Sequence, residues 1–300
     1  MRARRRSAAG VTVRLILVAA MVIAGLMPRP ASAQGERLSP VKALIEGLES
    51  EDVSVRRACA RKLGDYGPDS AEAVPALIKA LDDEDRRVVL KAIWALGRIG
   101  PKAEDAVRPL AKKLDSSKTR EAAGNALAGI GPAALPALKK KLGPKNRKGA
   151  RFFAILTLAK FGKHGVPLLM RSLRDDTPEI RQCAADALGK IGPDAGEAVP
   201  KLKLLLRQEK ITESRRRIAL ALGKMGEAAE PAIDALRDTL AEGSKPVKLA
   251  CAESLGRLGA IAAPARKRLR EAAESSDKEV KEAAESALAK IEAALKKAER

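Results

Sequence analysis

The sequence predicts an all-α fold, an α-solenoid of about eight stacked helix-turn-helix repeats. Hydrophobic residues make up 46 % of the chain and aromatic residues only 2 %, so the apolar side chains are mainly small and aliphatic ones such as Ala and Leu, which favour helices. The string "ALGRIGP" (95–101) returns as "ALGKIGP" (187–193), and a proline before an apolar stretch returns with the same period. One helix pair cannot bury its apolar face alone, so a repeated pair predicts stacking.

The first 33 residues differ in composition from the rest of the chain. They hold six arginines and no acidic residue, an apolar run at 15–27 and the small-residue pattern "ASA" at 31–33. This is the layout of a secretory signal peptide, and the run is shorter than the ~20 residues that span a bilayer. We predict export to the periplasm or the medium after cleavage near Ala33. The alternative is membrane anchoring by an uncleaved N-terminal segment.

The chain is strongly basic. Its formal net charge is +20, and without the six arginines of residues 1–33 there remain 52 basic and 38 acidic side chains, an excess of 14. Such an excess favours anionic partners, which include acidic proteins and the anionic polymers and lipid head groups of a cell envelope. Predicted export argues against nucleic acid as the partner.

Each repeat begins and ends at a recognisable residue. A proline opens helix A, where its missing N–H is tolerated, and a polar turn such as "DDED" (82–85) caps helix B. Helix B is predicted to end at a Leu-Gly mark, whose glycines take the left-handed conformation. The anchoring leucines, spaced by 30 to 34 residues, are Leu63, Leu96, Leu127, Leu158, Leu188, Leu222, Leu255 and Leu288. The repeat domain, 34–300, divides into units of approximately 38–73, 74–106, 107–134, 135–165, 166–198, 199–229, 230–262 and 263–300.

These features resemble the HEAT-repeat family, and within it the short HEAT-like repeats of the phycobilisome-lyase type. The strings "SVRRACARKLGDYG" (54–67) and "EIRQCAADALGKIG" (179–192) show the helix B pattern most clearly, and the resemblance covers about residues 38–292. It implies a solenoid in which helix B lines the concave surface. It implies function only loosely, because this fold carries scaffolds, chaperones and a few enzymes.

A basic residue stands seven positions before nearly every anchoring leucine, close to the buried direction of helix B. Its stem must lie on apolar surface while its head finds a partner. We interpret the row as a structural ladder whose heads pair with turn acids or carbonyls of adjacent units, as HEAT repeats commonly show. The alternative is a row of cations for an anionic ligand. The row, interrupted by Val89, consists of Arg56, Arg120, Arg151, Arg181, Arg215, Lys248 and Lys281.

The positions two and six residues before each leucine face away from the core and are expected to be polar. In the second repeat they are Leu90 and Trp94, and in the fourth repeat they are Phe152 and Leu156. Exposed apolar clusters rimmed by charge mark binding sites, whereas a register shift would bury these side chains instead. The predicted partner-binding residues are Leu90, Trp94, Phe152, Leu156, Arg57, Arg61, Lys91 and Arg216.

The sequence offers no recognisable catalytic, cofactor or metal site. His164 is the only histidine, and Cys59, Cys183 and Cys251 lie in units too far apart for a disulfide or a common zinc site. No phosphate-binding loop or serine triad is apparent, and the paired His-Glu motifs of HEAT-like iron hydroxylases are missing from the sequence.

We therefore predict an exported, non-enzymatic scaffold that binds a protein or peptide, acidic ones included, through the inner helix B face. The alternative is an electrostatic binder of anionic envelope polymer or lipid head groups that uses distributed Lys and Arg side chains. No transmembrane span is predicted in the mature chain. Added salt separates the two hypotheses, because it weakens charge-driven binding and spares binding through apolar anchors.

Overall fold

The computed structural model describes residues 39–299. Within this range it contains sixteen α-helices and no strand, which confirms the predicted all-α repeat architecture. The predicted signal peptide, residues 1–33, lies outside the described residues. The chain forms two compact units, one ending at Lys141 and the other beginning at Leu142, so the division falls between the two helices of the fourth repeat.

The first unit contains three helix pairs and the first helix of the fourth repeat. Odd-numbered helices are the first helices (A) of their repeats, and even-numbered helices are the second helices (B). The helices are α1 (Pro40–Gly47), α2 (Val53–Tyr66), α3 (Val74–Ala80), α4 (Arg86–Ile99), α5 (Val107–Lys113), α6 (Arg120–Ile130) and α7 (Leu135–Lys141). Within this unit α2 packs on α4, and α4 packs on α6.

The second unit contains the second helix of the fourth repeat and four further pairs. The helices are α8 (Lys148–Leu158), α9 (Val166–Ser172), α10 (Pro178–Ile191), α11 (Val199–Gln208), α12 (Thr212–Lys224), α13 (Ile233–Glu242), α14 (Lys245–Leu258), α15 (Arg266–Ala273) and α16 (Lys278–Ala298). Here too each second helix packs on the next one, from α8 on α10 to α14 on α16.

The turn residues act largely as the sequence predicts. Asp85 caps α4, because its Oδ1 accepts hydrogen bonds from the backbone N–H groups of Arg87 (2.7 Å) and Val88 (3.2 Å). The prolines vary more than expected. Pro231 and Pro264 lie in the 3₁₀ segments before α13 and α15 rather than in those helices. A proline without an N–H is tolerated in such a short turn, as it is in the first turn of a helix.

The two glycines of "ALGRIGP" have different roles, which corrects the expectation that helix B ends at the first of them. Helix α4 continues through Gly97 to Ile99, and Gly100 with φ 73° ends it. Gly97 lies against the next second helix, where a methyl group on it would be 2.7 Å from the Cα of Ala126. The first glycine therefore permits close helix packing, and the second supplies the turn.

The anchoring leucines form the core and fix the rotation of the second helices. Each fully buried leucine contributes about 1.5–3 kcal/mol relative to an exposed one. Leu288 is only half-buried, because the described residues contain no helix pair beyond α16. With the leucines inward, the positions two and six residues earlier face outward. The leucines with no exposed surface are Leu63, Leu96, Leu127, Leu158, Leu188, Leu222 and Leu255.

Candidate binding face on the second helices

Arg56 shows how the basic residues before the leucines are used. It is 8 % exposed; its Nε donates to Asp83 Oδ2 (2.7 Å) in the next turn, and Nη1 donates to the carbonyl oxygens of Ser50 (2.9 Å) and Glu51 (3.1 Å). Burial acts to raise the pKa of Asp83, but hydrogen bonds from Arg56 and the Asp85 backbone N–H outweigh it and hold that pKa below its ordinary value. An arginine bound in this way is not available to a ligand.

Arginines at the same position in the second unit have similar partners. Arg151 donates to both carboxylate oxygens of Asp175 (2.9 and 2.7 Å), and Arg181 donates to those of Glu209 (2.8 and 3.1 Å). Arg215 donates to a carbonyl oxygen of the first helix of its own repeat at 2.8 Å. These contacts tie each second helix to a neighbouring turn or helix, which is a structural use of the charge.

The lysines of the predicted ladder differ from the arginines. Lys248 is half-buried and Lys281 is exposed, and neither forms an ion pair within residues 39–299. Asp277, the turn acid nearest in register to Lys248, is bound by Lys245 at 3.0 Å. Lys281 lies on α16, after which the described residues contain no further turn. Arg120 is half-buried at the equivalent position on α6.

A groove of about 640 Å³ runs between α2 and α4 in the first unit. It brings together five of the eight side chains that the sequence predicts for partner binding. Leu90 is half-buried in it, whereas Trp94 is 38 % exposed at its rim. The lining residues are Ser54, Arg57, Ala58 and Arg61 from α2, and Arg87, Leu90, Lys91 and Trp94 from α4.

Trp94 is contacted from both helices of the groove. Its ring lies over Gly64 of α2, where a methyl group would be 2.3 Å from the ring carbon Cζ3. The Nζ of Lys91, on α4 itself, lies 5.7 Å from the ring centroid, within the range of a cation–π contact. The indole is therefore positioned before any ligand arrives, which lowers the entropic cost of binding on it.

The basic side chains of this groove have no acidic partner in the described part of the chain. Arg57, Arg61 and Arg87 form no side-chain hydrogen bond or ion pair there, and the charged contact of Lys91 is with the Trp94 ring. Helix α4 carries four basic residues and no acidic one in "RRVVLKAIWALGRI". A concave surface with this charge attracts anionic groups.

The second unit presents its own apolar pair on α8. Phe152 is 38 % exposed and Leu156 is 37 % exposed, so both face solvent at the predicted outward positions. The Phe152 ring packs edge-on against that of Phe153, with centroids 5.8 Å apart and an interplanar angle of 68°. The neighbouring helix α10 places Gln182 and Asp186 at the same outward positions.

Arg216, predicted to flank these apolar pairs, is used differently. It lies on α12, which packs on α10, and its Nε and Nη2 donate to the Glu213 carboxylate at 2.7 and 2.8 Å. Arg217 also donates to Glu213 at 2.7 Å and pairs with Asp186. The hydrogen bond from Arg216, aided by Arg217 and opposed by burial, lowers the pKa of Glu213 to about 2. The positive charge of this cluster is therefore largely neutralised.

Sequence reasoning missed several exposed or groove-lining residues. Arg87 lines the groove, but it lies nine positions before Leu96, beyond the outward positions two and six residues before the leucines. Tyr66 at the end of α2 is 40 % exposed; Leu204 on α11 is 45 % exposed. Ile211, in the turn before α12, is 44 % exposed. An extension of the outward rows by one further turn would have included Arg87.

The three free thiols are buried, and the single histidine is exposed in a turn. Burial raises the pKa of Cys59 to about 11 and that of Cys183 and Cys251 to about 12, so these free thiols stay protonated at neutral pH. His164 is exposed in the 3₁₀ segment Ala159–Gly165. Within residues 39–299 no group of three or more His, Cys, Asp or Glu side chains converges as metal ligands would.

One stretch of the described residues, Lys148–Ser172, is long and apolar enough to cross a membrane by length and composition alone. It is divided in the structure, because α8 ends at Leu158, Gly162 takes φ 52°, and α9 begins at Val166. Ile155 and Leu169 have no exposed surface. The stretch consists of helices of two adjacent repeats that pack their apolar faces inward.

These features define the class of protein as an α-helical repeat protein with an apolar and basic face on its second helices. The family model for HEAT repeats matches residues 41–128, 150–211, 166–256 and 199–289. The chain therefore belongs to the HEAT-repeat family. No curated protein matches the sequence.

Two solved karyopherin structures share the fold at low sequence identity. The karyopherin Kap121p is 15 % identical with a TM-score of 0.62, over 92 % of this chain and 37 % of the karyopherin. Kap95 in the Kap95:Nup1 complex is 15 % identical with a TM-score of 0.54, over 85 % of this chain and 41 % of its own. The complex of CpcE and CpcF of phycocyanin lyase from Nostoc sp. PCC7120 is 24 % identical with a TM-score of 0.38, and the match covers 88 % of this chain and 99 % of that chain. This chain thus spans well under half the length of either karyopherin.

Proposed function

We propose that this protein is an exported, non-enzymatic scaffold that binds a protein or peptide partner through the outward face of its second helices. The observation that carries the proposal is the exposure of Trp94, Phe152 and Leu156 at positions that are polar in most other repeats. Large apolar side chains within a charged rim are typical of the residues that dominate binding energy in protein interfaces. The buried thiols and the paired charges of the ladder have structural roles, which favours a binding protein over an enzyme.

The neighbouring structures support the kind of partner in the proposal. Kap95 is seen with Nup1, and Kap121p is seen with the extreme C-terminus of the protein phosphatase Cdc14p. Nup1 and Cdc14p are partners of the karyopherins, and the likeness of this chain to the karyopherins shows the fold alone. The extended surface of a helical repeat array suits the binding of a protein segment, because successive repeats present the same face.

The second candidate is an electrostatic binder of anionic envelope polymer or lipid head groups. The basic side chains of the α2–α4 groove favour it, because no acid of the described residues neutralises them. Such binding depends on many weak contacts and is screened by salt, with a Debye length of about 8 Å at physiological ionic strength. Binding through Trp94 and Phe152 depends on burial of apolar surface and tolerates salt better.

Export is part of the proposal and has its own test. We expect cell fractionation of the native host to recover the protein outside the cytoplasm, with Gln34 at the N-terminus. A protein that stays with the membrane and keeps its first residues would instead indicate an N-terminal anchor. A cytoplasmic protein with an intact N-terminus would overturn this part of the proposal.

The binding proposal is tested by partner capture from the envelope fraction of the native host. We expect Trp94→Ala/Phe152→Ala to lose the partner that the natively processed wild-type protein retains, at unchanged helicity. Leu204→Ala/Ile211→Ala is the matched control, because it removes two other exposed apolar side chains. Equal retention by both variants, with release by moderate salt, would favour the electrostatic candidate.

A further inference from the structure

We propose that the groove between α2 and α4 recognises an extended acidic peptide segment. The segment carries carboxylates on two alternate residues, followed on the same side by a large apolar side chain. This inference rests on the protein-binding function proposed above and assigns its partner class in the first unit. It concerns only the residues of this groove.

Charge selects an acidic occupant. The groove is lined by Arg57, Arg61, Arg87 and Lys91 and by no acidic side chain. These cations have no carboxylate partner in residues 39–299, whereas Arg56 on the same helix is bound by Asp83. A ligand that brings carboxylates therefore meets donors that are not engaged with an acid, and charge-assisted hydrogen bonds become available to it.

Shape favours a single peptide chain over a lipid surface. Arg57, Leu90 and Lys91 are half-buried in the groove, while Arg61, Arg87 and Trp94 are exposed. A flat membrane would contact the exposed rim, but only a narrow chain reaches the half-buried floor.

The spacing of the groove residues sets the pattern of the peptide. Arg87 lies at one end, Lys91 follows one helical turn later, and Trp94 follows after almost another turn. Each turn of four residues advances about 6 Å. On one side of an extended peptide, side chains recur about every 6.6 Å. Two carboxylates on alternate residues therefore match Arg87 and the Arg57–Lys91 level, and the next side chain on that side reaches Trp94.

Trp94 supplies the apolar anchor at the end of this series. Its ring rests on Gly64 and is contacted by Lys91 Nζ at 5.7 Å, so it is oriented without a ligand. Arg61 lies at the same level on α2 and is exposed. An aromatic or aliphatic peptide side chain on this ring would be flanked by positive charge, which favours a neighbouring acid over a neighbouring base.

The test uses Trp94 as its own reporter, because it is the only tryptophan of the chain. The natively processed protein is titrated with a short glutamate-rich peptide that carries one leucine in the predicted order. We expect a blue shift of the emission and protection from acrylamide quenching. A peptide of the same composition in scrambled order, and one with glutamine for glutamate, are expected to bind at least about tenfold more weakly.

The variants separate the groove from overall charge. We expect the variant Arg57→Gln/Arg61→Gln/Arg87→Gln/Lys91→Gln to bind the peptide about tenfold more weakly or worse. Binding is measured with a fluorescent label on the peptide. The matched control, Arg98→Gln/Arg108→Gln/Lys112→Gln/Lys139→Gln, removes the same charge from exposed positions of the first unit outside the groove. We expect it to bind within about twofold of wild type, with the remaining loss due to long-range attraction.

Three outcomes would overturn the inference. Equal weakening by both variants would show diffuse electrostatics rather than a site. Emission that responds to vesicles of phosphatidylglycerol but not to the peptide would assign the groove to lipid. Capture of a host partner that depends on Phe152 but not on Trp94, with no peptide binding, would reject this site while the scaffold function stands. If the host partner is still captured after both Trp94→Ala and Phe152→Ala, the scaffold function itself is rejected.

Discussion

The outward faces of α4 and α8 carry apolar side chains at the same repeat positions but in different electrostatic surroundings. In the first unit Trp94 lies among basic side chains that no acid of residues 39–299 neutralises. In the second unit Lys148, one turn before Phe152 on α8, pairs with Glu179, and the predicted Arg216 is bound by Glu213. A repeat position therefore fixes where a side chain points, whereas the neighbouring side chains determine what it can bind. We therefore propose an acidic ligand for the first face and expect the second to take a more neutral one.

The largest expected effect is the loss of stability on truncation of a core leucine, which tests whether the two units differ only at the surface. Leu96→Ala in the first unit and Leu222→Ala in the second are each expected to lower the free energy of unfolding by about 2–5 kcal/mol. Both leucines have no exposed surface, so the losses are expected to be similar. Hydrogen exchange along α4 and α12 measures the effect in each unit. A loss in one unit only would show that the cores differ as well.

The second effect concerns the support of Trp94. Gly64→Ala places a methyl group 2.3 Å from the indole and 3.0 Å from the Cα of Ala95, so the ring has to move. We expect a loss of stability of about 1–3 kcal/mol from overpacking, with a change in Trp94 emission. Gly189→Ala is the matched control, because its methyl group would meet Ala221 in the second unit. That variant is expected to destabilise without a change of emission at neutral pH.

The third prediction concerns a substitution that gives the first face a carboxylate, as the second face already has. Ala58 lines the groove between Arg57 and Arg61, and Ala58→Glu supplies the carboxylate that this face lacks. We expect acidic peptide binding to weaken by about tenfold, because the new acid competes for the same cations. Ala58→Gln controls for size and is expected to retain most of the affinity. If Gln weakens binding as much as Glu, crowding rather than charge explains the loss.

The fourth effect is the reverse exchange in the second unit. Glu213→Gln releases Arg216 from its carboxylate, while Arg217 keeps Asp186. In a Trp94→Ala background, we expect the affinity for an acidic peptide to rise by about two- to threefold, as one exposed charge pair is worth well under 1 kcal/mol. Labelled-peptide anisotropy measures it. No gain would mean that Arg216 stays out of reach of a ligand on this face.

The smallest effect is a pH dependence of stability at the same carboxylate. The pKa of Glu213 is lowered to about 2 from an ordinary 4.5, because Arg216 and Arg217 donate to it. Its stabilising contribution is therefore complete above pH about 4.5 and is lost as the pH falls toward about 2. The side chain is 41 % exposed, and solvent screening keeps the contribution below about 1 kcal/mol. Acid unfolding of wild type and Glu213→Gln should converge near pH 2, and a constant difference would contradict this.

The repeat period, the all-α class, the leucine core and the outward rows follow from the sequence by itself. They depend on local signals, because proline, turn acids and glycine act within a few residues, and each second helix meets the same kind of neighbour. For the same reason the outward position of Trp94, Phe152 and Leu156 was predictable. The pairing of Arg216 with Glu213 was also within reach, since three-residue spacing on a helix predicts it.

The packing of the helices determines which cations stay without an acidic partner among residues 39–299 and where a groove forms. Arg56 and Asp83 are 27 residues apart. Arg57, the next residue of the same helix, has no acidic partner in the described part of the chain. The packing role of Gly97 against Ala126 and the inclusion of Arg87 in the groove likewise arise between helices. Contacts across repeats depend on the distance and rotation of packed helices, and the sequence period does not determine either.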